Sequence, residues 1–217
     1  MPKTTATAVL HEPLSAILGT RAKVAVLRLL SRSGVAIPHR EVARRSGMAY
    51  RSIALALADL IAAGVVAEVP GGRERRVELA TGHRLTAAIA SVLRAESDFF
   101  PSLRTELKAL ALGGEGDGLL TLSLVGAVAR REEGVGDPLE LVLVGVDRTA
   151  AVRWRERLEE GAEALSRRFG VSVRVIGYDL AEARKLWITR TARAEAMVRS
   201  AELLVGASLL GLVEAVA

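Results

Sequence analysis

The sequence has 217 residues, half of them hydrophobic and a quarter charged, enough for one large domain or two of ordinary size around a buried core. The absence of cysteine excludes disulfides, thiolate metal sites and cysteine nucleophiles, and His11, His39 and His83 are too scattered for a metal cluster, so neither a metal nor a cofactor is expected. Arginine supplies 26 of the 30 basic residues; residues 1–85 carry 13 basic and 6 acidic side chains, a net of +7, and residues 86–217 carry 17 and 19, a net of −2, which confines any footprint for a polyanion to the first part.

The first residues lack the apolar core of a signal peptide, and the most apolar run, 203–213, is about half the roughly 20 residues of a membrane-spanning helix, so a cytoplasmic location without membrane contact is expected. Val24, Leu27 and Leu30, with Val26 and Leu29 alongside and Ile17 and Leu18 just ahead, predict a helix over about 20–31 that ends at Ser33-Gly34. Pro38 suits the first turn of a second helix, which carries Val42 inward and stops at Gly47. Ile53, Leu57, Leu60 and Ile61 then repeat at helical spacing until Gly64 supplies a cap. Two short helices across a glycine-bearing turn form a helix-turn-helix. Residues 65–70 read as a strand, Gly71-Gly72 as a turn and 73–79 as a returning strand in which Val77 and Leu79 alternate with charge.

The stretch Arg40-Glu41-Val42-Ala43-Arg44-Arg45-Ser46-Gly47, then Ser52-Ile53 and residues 57–66, resembles the winged helix of bacterial and archaeal transcription regulators over about residues 14–85. The resemblance implies double-stranded DNA as the partner, with the helix that starts near Ala49 in the major groove and the hairpin along the backbone. It also implies that Tyr50, Arg51 and Ser52 face the groove while Arg44, Arg45, Arg73, Arg75 and Arg76 reach phosphates, each neutralised phosphate steepening the salt dependence by about one unit. Beyond Ser52 the outer face would offer Ala54, Leu55, Ala58 and Ala62, which touch a thymine methyl but cannot hydrogen-bond a base edge, so weak sequence readout is expected. Ala49 stands where a capping Ser or Thr is usual, a loss of roughly 1 kcal/mol. A protein-binding module with a solvated basic face is the other use of such a surface.

Gly82-His83-Arg84 closes the hairpin, and Leu85, Ala88, Ile89 and Val92 line one side of a further helix that Phe99-Phe100-Pro101 is expected to break. Leu103, Leu107 and Leu110 continue to the glycine and acid run of 113–118, read as a linker. The stripe would either pair two copies as a homodimer or pack against its own domain. The resulting division is 14–84, 85–118 and 119–217.

Residues 119–125, 139–144 and 171–176 read as strands, with a helix over 151–169 between the last two, a mixed α/β class. Gly126 comes directly after the first strand at the start of a short helical turn, where backbone N–H groups could hold a phosphate. In the tail 189–217, Ala196, Met197, Leu203 and Leu204 form helical stripes that complete a core or make a contact surface. The segment Leu122-Ser123-Leu124-Val125-Gly126-Ala127-Val128-Ala129-Arg130, followed by Leu139-Glu140-Leu141-Val142-Leu143-Val144-Gly145, resembles the nucleotidyltransferase fold of the polymerase-β superfamily. Val175-Ile176-Gly177-Tyr178-Asp179 with Ala181-Glu182-Ala183 resembles the segment after the third strand in regulators that fuse a winged helix to this fold.

The family pattern is a strand, Gly-Ser, a small residue with Arg, and an Asp-x-Asp pair on the next strand. That pair implies carboxylates at i and i+2, on one face of a strand, jointly holding Mg²⁺ against a triphosphate. Here Glu140 takes the second position and Pro138 the first, and a proline can neither bind metal nor donate to the sheet. Asp137, three residues from Glu140, would point to the opposite face unless a bulge intervenes. Ala127 replaces the serine, and the third strand offers Arg174 but no acid to activate a nucleophile. Gly126, Ala129, Arg130 and Glu140 match in position; Gly126, Arg130, Asp137 and Glu140 are expected to form a vestigial nucleotide site without a catalytic role.

The expectation is an α+β chain with an N-terminal winged helix-turn-helix, a helical connector and a C-terminal nucleotidyltransferase-like α/β domain. It would act as a DNA-binding transcriptional regulator, not an enzyme, whose C-terminal domain takes a nucleotide or a protein partner. Two alternatives stay open on the sequence: an active nucleotidyltransferase that modifies RNA or protein with Asp137 swung inward, and the antitoxin half of a toxin–antitoxin pair.

Overall fold

The computed structural model describes residues 20–70, 74–112, 117–189 and 191–214, and the chain is mixed α+β with two small sheets. It divides into two units, one holding the described residues up to Phe99 and the other those from Phe100 onward. The first unit is built from α1 (Arg21–Ser33), β1 (Ile37–Pro38), α2 (His39–Ser46), α3 (Tyr50–Ala62), β2 (Val66–Val69), β3 (Arg76–Leu79) and the first part of α4 (Thr86–Ala111). Val24, Val26, Leu27 and Leu30 of α1, Val42 of α2, and Ile53, Leu57 and Leu60 of α3 are buried in one core, as their helical spacing requires. Between α2 and α3 the chain turns at Gly47, whose φ of 65° lies in the left-handed region open to glycine and whose N–H donates to the Arg44 carbonyl.

The three-stranded sheet has the order β1-β3-β2, all antiparallel, with Val77 opposite both Ile37 and Glu68. Val77 and Ile37 face the core, and the period of two turns Arg76 outward. The strand at Ile37–Pro38 is not readable from the sequence, because two residues carry no alternation. The expected turn at Gly71-Gly72 lies outside the described residues, as do Ile17 and Leu18.

Two expectations for α4 are corrected. Its inward side is Thr86, Ile89, Leu93 and Glu96, one residue round from the predicted stripe, so Leu85 and Val92 are 57% and 46% exposed and Ala88 is exposed too. That inward face carries a paired charge, Glu96: Arg28 of α1 donates from Nε and Nη2 to its two carboxylate oxygens at 2.8 and 2.7 Å, while Ile89 and Leu93 pack into the core. The helix also runs unbroken through Pro101. An interior proline costs about 3 kcal/mol, whereas burying a leucine side chain stabilises by roughly 1.5–3 kcal/mol. Leu93, in the core of the first unit, and Leu103 and Leu107, in that of the second, are all buried by the same helix, which outweighs the proline.

The second unit continues with β4 (Leu119–Val125), α5 (Gly126–Arg130), β5 (Leu139–Gly145), α6 (Arg148–Phe169), β6 (Val173–Asp179), α7 (Leu180–Ile188), α8 (Ala192–Ser200), β7 (Glu202–Gly206) and α9 (Leu209–Glu214). Its sheet has the order β6-β5-β4-β7, with β5 and β6 parallel and the other pairs antiparallel. Alternation along β5 sends Leu139, Leu141 and Leu143 to a core with Trp154 and Leu158 of α6, and Val142 and Val144 to a second core with Ala183, Val198 and Leu209. Glu140 therefore stands on the Val142 side.

The third strand lies over Val173–Asp179, not 171–176, and Asp179 ends it by capping α7: its carboxylate accepts from the Glu182 N–H while the Glu182 side chain accepts from the Asp179 N–H. Leu203 and Leu204, read as part of a helical stripe, belong to β7, which pairs with the free side of β4.

Replacing Arg28 by Ala removes two guanidinium hydrogen bonds from a carboxylate whose side chain is only 2% exposed. The expected loss is about 3 kcal/mol or more of stability in the first unit, read from urea unfolding followed by circular dichroism; a loss under about 1 kcal/mol would contradict the assignment of Glu96 as a buried, paired charge.

Candidate functional site

In the first unit the start of α3 is open. Ala49 offers no side-chain cap, Tyr50 is 54% exposed, and Arg51 and Ser52 are exposed beside it. Arg45 at the end of α2 and Arg76 on β3 are exposed as well, and none of Arg45, Arg51 and Arg76 has a hydrogen-bond or ion-pair partner among the described residues. Arg51 and Arg76 are thus open to an incoming anion, while the charge of Arg45 also acts on Glu41.

Two other expected cations are engaged. Arg44 donates from Nε to Glu41 at 2.7 Å and from Nη2 to the other carboxylate oxygen, and this hydrogen bonding holds the Glu41 carboxyl below its usual range and raises the guanidinium's. Arg75 lies 3.5 Å from Glu68. Arg73 is outside the described residues. Beyond Ser52 the outer side of α3 presents Leu55, 63% exposed, with Ala58 and Ala62, which offer a base edge no donor or acceptor; the exposed Asp59 beside them is paired with Lys23 at 2.8 Å.

The second unit holds a cavity of about 380 Å³ whose lining includes Gly126, Arg130, Asp137 and Glu140, the four residues that the sequence groups as one site. Val125, Ala127, Pro138, Arg174, Ile176 and Tyr178 complete the strand side, and Ala196 and Met197 come from α8. Gly126 is needed by geometry: its φ is 76°, and a Cβ there would lie 2.3 Å from Glu140 Oε2, so the carboxylate lies against the start of α5.

Both acids of the cavity are already engaged. Parallel pairing sets Glu140 opposite Arg174, and Arg174 Nη1 donates to Glu140 Oε1 at 3.1 Å. Asp137 lies ahead of β5, in register with no strand, and its Oδ2 accepts from the Gly134 N–H at 2.8 Å within its own turn. Arg130 is likewise turned to Glu132, at 2.8 Å. A magnesium ion requires several oxygen ligands at short range; of the two carboxylates on the cavity, Glu140 is paired with a guanidinium and Asp137 accepts from its own turn, so this donor set fits the metal poorly. Among the described residues no group of three or more His, Asp and Glu side chains is placed to hold a metal ion.

Arg174 and Met197 are the cavity residues that sequence reasoning does not place. Arg174 is visible as a basic residue on the third strand, but its partner depends on a parallel register that no local pattern specifies. Met197 arrives from a tail whose course the sequence leaves open. No protein-family model matches the chain, and no curated protein sequence matches it. Among the described residues no helix is long and apolar enough to cross a membrane.

Replacing Gly126 by Ala forces a side chain into the left-handed region, at an expected cost of about 1–3 kcal/mol. Both tryptophans, Trp154 and Trp187, lie in the second unit, so their fluorescence during urea unfolding reads that unit alone; an unchanged midpoint would contradict the geometry at this turn.

Proposed function

We propose that the chain is a DNA-binding transcriptional regulator whose first unit is a winged helix-turn-helix and whose second unit is a nucleotidyltransferase-like domain without catalysis, kept for binding a ligand or protein partner. The observation that carries this reading is the open start of α3, where Tyr50, Arg51 and Ser52 are exposed and Arg51 and Arg76 hold unpaired charge among the described residues. The element order supports it: α1, a short strand, α2, a glycine turn, α3 and a two-stranded hairpin. The net of +7 over residues 1–85 supplies the field that a phosphate backbone answers. With an apolar outer strip on α3, affinity comes chiefly from phosphates and sequence preference is weak.

Catalytic silence in the second unit is supported by Pro138 at the first acid position and by the Glu140–Arg174 pair at the second. The outward Leu85, Ala88 and Val92 side of α4 supports pairing of two copies over packing within the domain.

Binding to a duplex from the chain's own upstream region, measured by fluorescence anisotropy between about 50 and 200 mM salt, is expected to weaken steeply, and Arg51→Gln and Arg76→Gln are each expected to lower the log–log slope by about one unit. Salt-insensitive or absent binding would sink the reading. Incubation with labelled nucleoside triphosphates and Mg²⁺ is expected to transfer no label to RNA or protein; transfer that disappears in Glu140→Ala would overturn the assignment of a silent domain.

A further inference from the structure

A cavity of about 370 Å³ in the first unit lies where the start of α2, the start of α3 and the approach to β3 come together, lined by Pro38, His39, Arg40, Tyr50, Glu74 and Arg75. The backbone holds these three elements in place: Pro38 pairs with Arg76 across the sheet, and the His39 N–H donates to the Arg75 carbonyl at 3.3 Å. Two groups of the lining share one acid, because Glu68 Oε1 lies 3.5 Å from both His39 Nε2 and Arg75 Nη1. Arg40 is exposed and has no hydrogen-bond or ion-pair partner among the described residues.

The lining sets Arg40, Arg75 and the Tyr50 hydroxyl, all able to donate, against Glu74, with Glu68 behind Arg75 as a second acid, so Arg40 is the cation of the lining without an acid beside it among the described residues. Its volume is at the low end for small-molecule sites, and it has no apolar wall beyond Pro38 and the Tyr50 ring. Such a surface suits a compact anion with several acceptor oxygens. Tyr50 is followed by Arg51, and Arg75 by Arg76, both with free charge outside the cavity, so the anion it suits is one member of a row of anions rather than an isolated ion.

We propose that this cavity seats one backbone phosphate of duplex DNA, with Arg40 as its principal cation and Tyr50 as a supporting donor. The seat rests on the DNA-binding reading and adds to it a contact on α2, apart from the α3 and hairpin residues already named. A phosphate contact positions the protein without reading bases, so its loss weakens all sequences alike.

The test is anisotropy on two duplexes of unrelated sequence, with the full chain and its Arg40→Gln, Arg40→Lys and Arg94→Gln variants, the last an exposed arginine on α4 outside the cavity. R40Q is expected to lower the salt slope by about one unit and to weaken binding roughly fivefold to tenfold at low salt, equally on both duplexes. R40K is expected to keep the slope, and R94Q to match the unmodified chain. Steep wild-type binding that R40Q leaves unchanged would overturn the seat and leave the DNA reading standing; no wild-type binding to either duplex would overturn both. A third arm replaces chloride by inorganic phosphate at matched ionic strength. The R40Q deficit is expected to persist there, and its disappearance would give the cavity to free phosphate ion and refute the DNA assignment.

Discussion

The pairing of Ile37 and Pro38 with Val77 and Arg76 is the constraint on which the proposed DNA face depends. Ile37 and Val77 are buried opposite one another, so a slip of one residue would expose Val77 and turn Arg76 into the core. Burial thus fixes the outward direction of a cation without any contact to that cation. Pro38, with φ of −61°, has no N–H to offer the sheet and passes the chain directly into α2, which brings His39 and Arg40 level with Arg75. The start of α3 comes after a glycine turn, so three donor-bearing segments share one side of the unit because a two-residue strand sets their common origin.

In the second unit a strand register has the corresponding role. Alternation along β5 sends the leucines to one core and the valines to the other, and Glu140 goes with the valines. Parallel pairing with β6 then sets Arg174 beside it. A guanidinium on a carboxylate satisfies the charge that a divalent ion would otherwise balance, and a metal entering there would need to displace Arg174 while finding no second strand carboxylate. The cavity keeps a mixture of hydrogen-bonding groups and apolar wall from Ile176 and Met197.

Much of this is legible because periodicity is a local property. The apolar spacing of α1, α2 and α3, the run of β4 and the glycine stop after α2 each arise from residues close in sequence, and Gly126, Arg130, Asp137 and Glu140 can be named from the chain alone before they meet around one cavity. The parts that mislead depend on distant partners. Glu96 counts as polar, hence outward, until Arg28 supplies a charge for it on the inward side of α4. Pro101 counts as a break, although leucines buried on both sides of it carry the helix through. Leu203 and Leu204 look helical because β7 is short and its need for the free side of β4 is not written locally. The end of β6 is missed, the strand being read only to 176, although Asp179 and Glu182, three residues apart, form the capping box that closes it. Arg44 shows the limit for surface charge, since an acid three residues earlier on the same helix takes it out of the free set.

The most direct measurement of the central claim is a map of amide chemical-shift changes in the isotope-labelled full chain as duplex DNA is added. The account predicts changes concentrated at residues 39–40, 45, 50–52 and 75–76, with those around Gly126 and Glu140 unmoved. Changes confined to the cavity of the second unit, or to the Leu85 and Val92 side of α4, would contradict it.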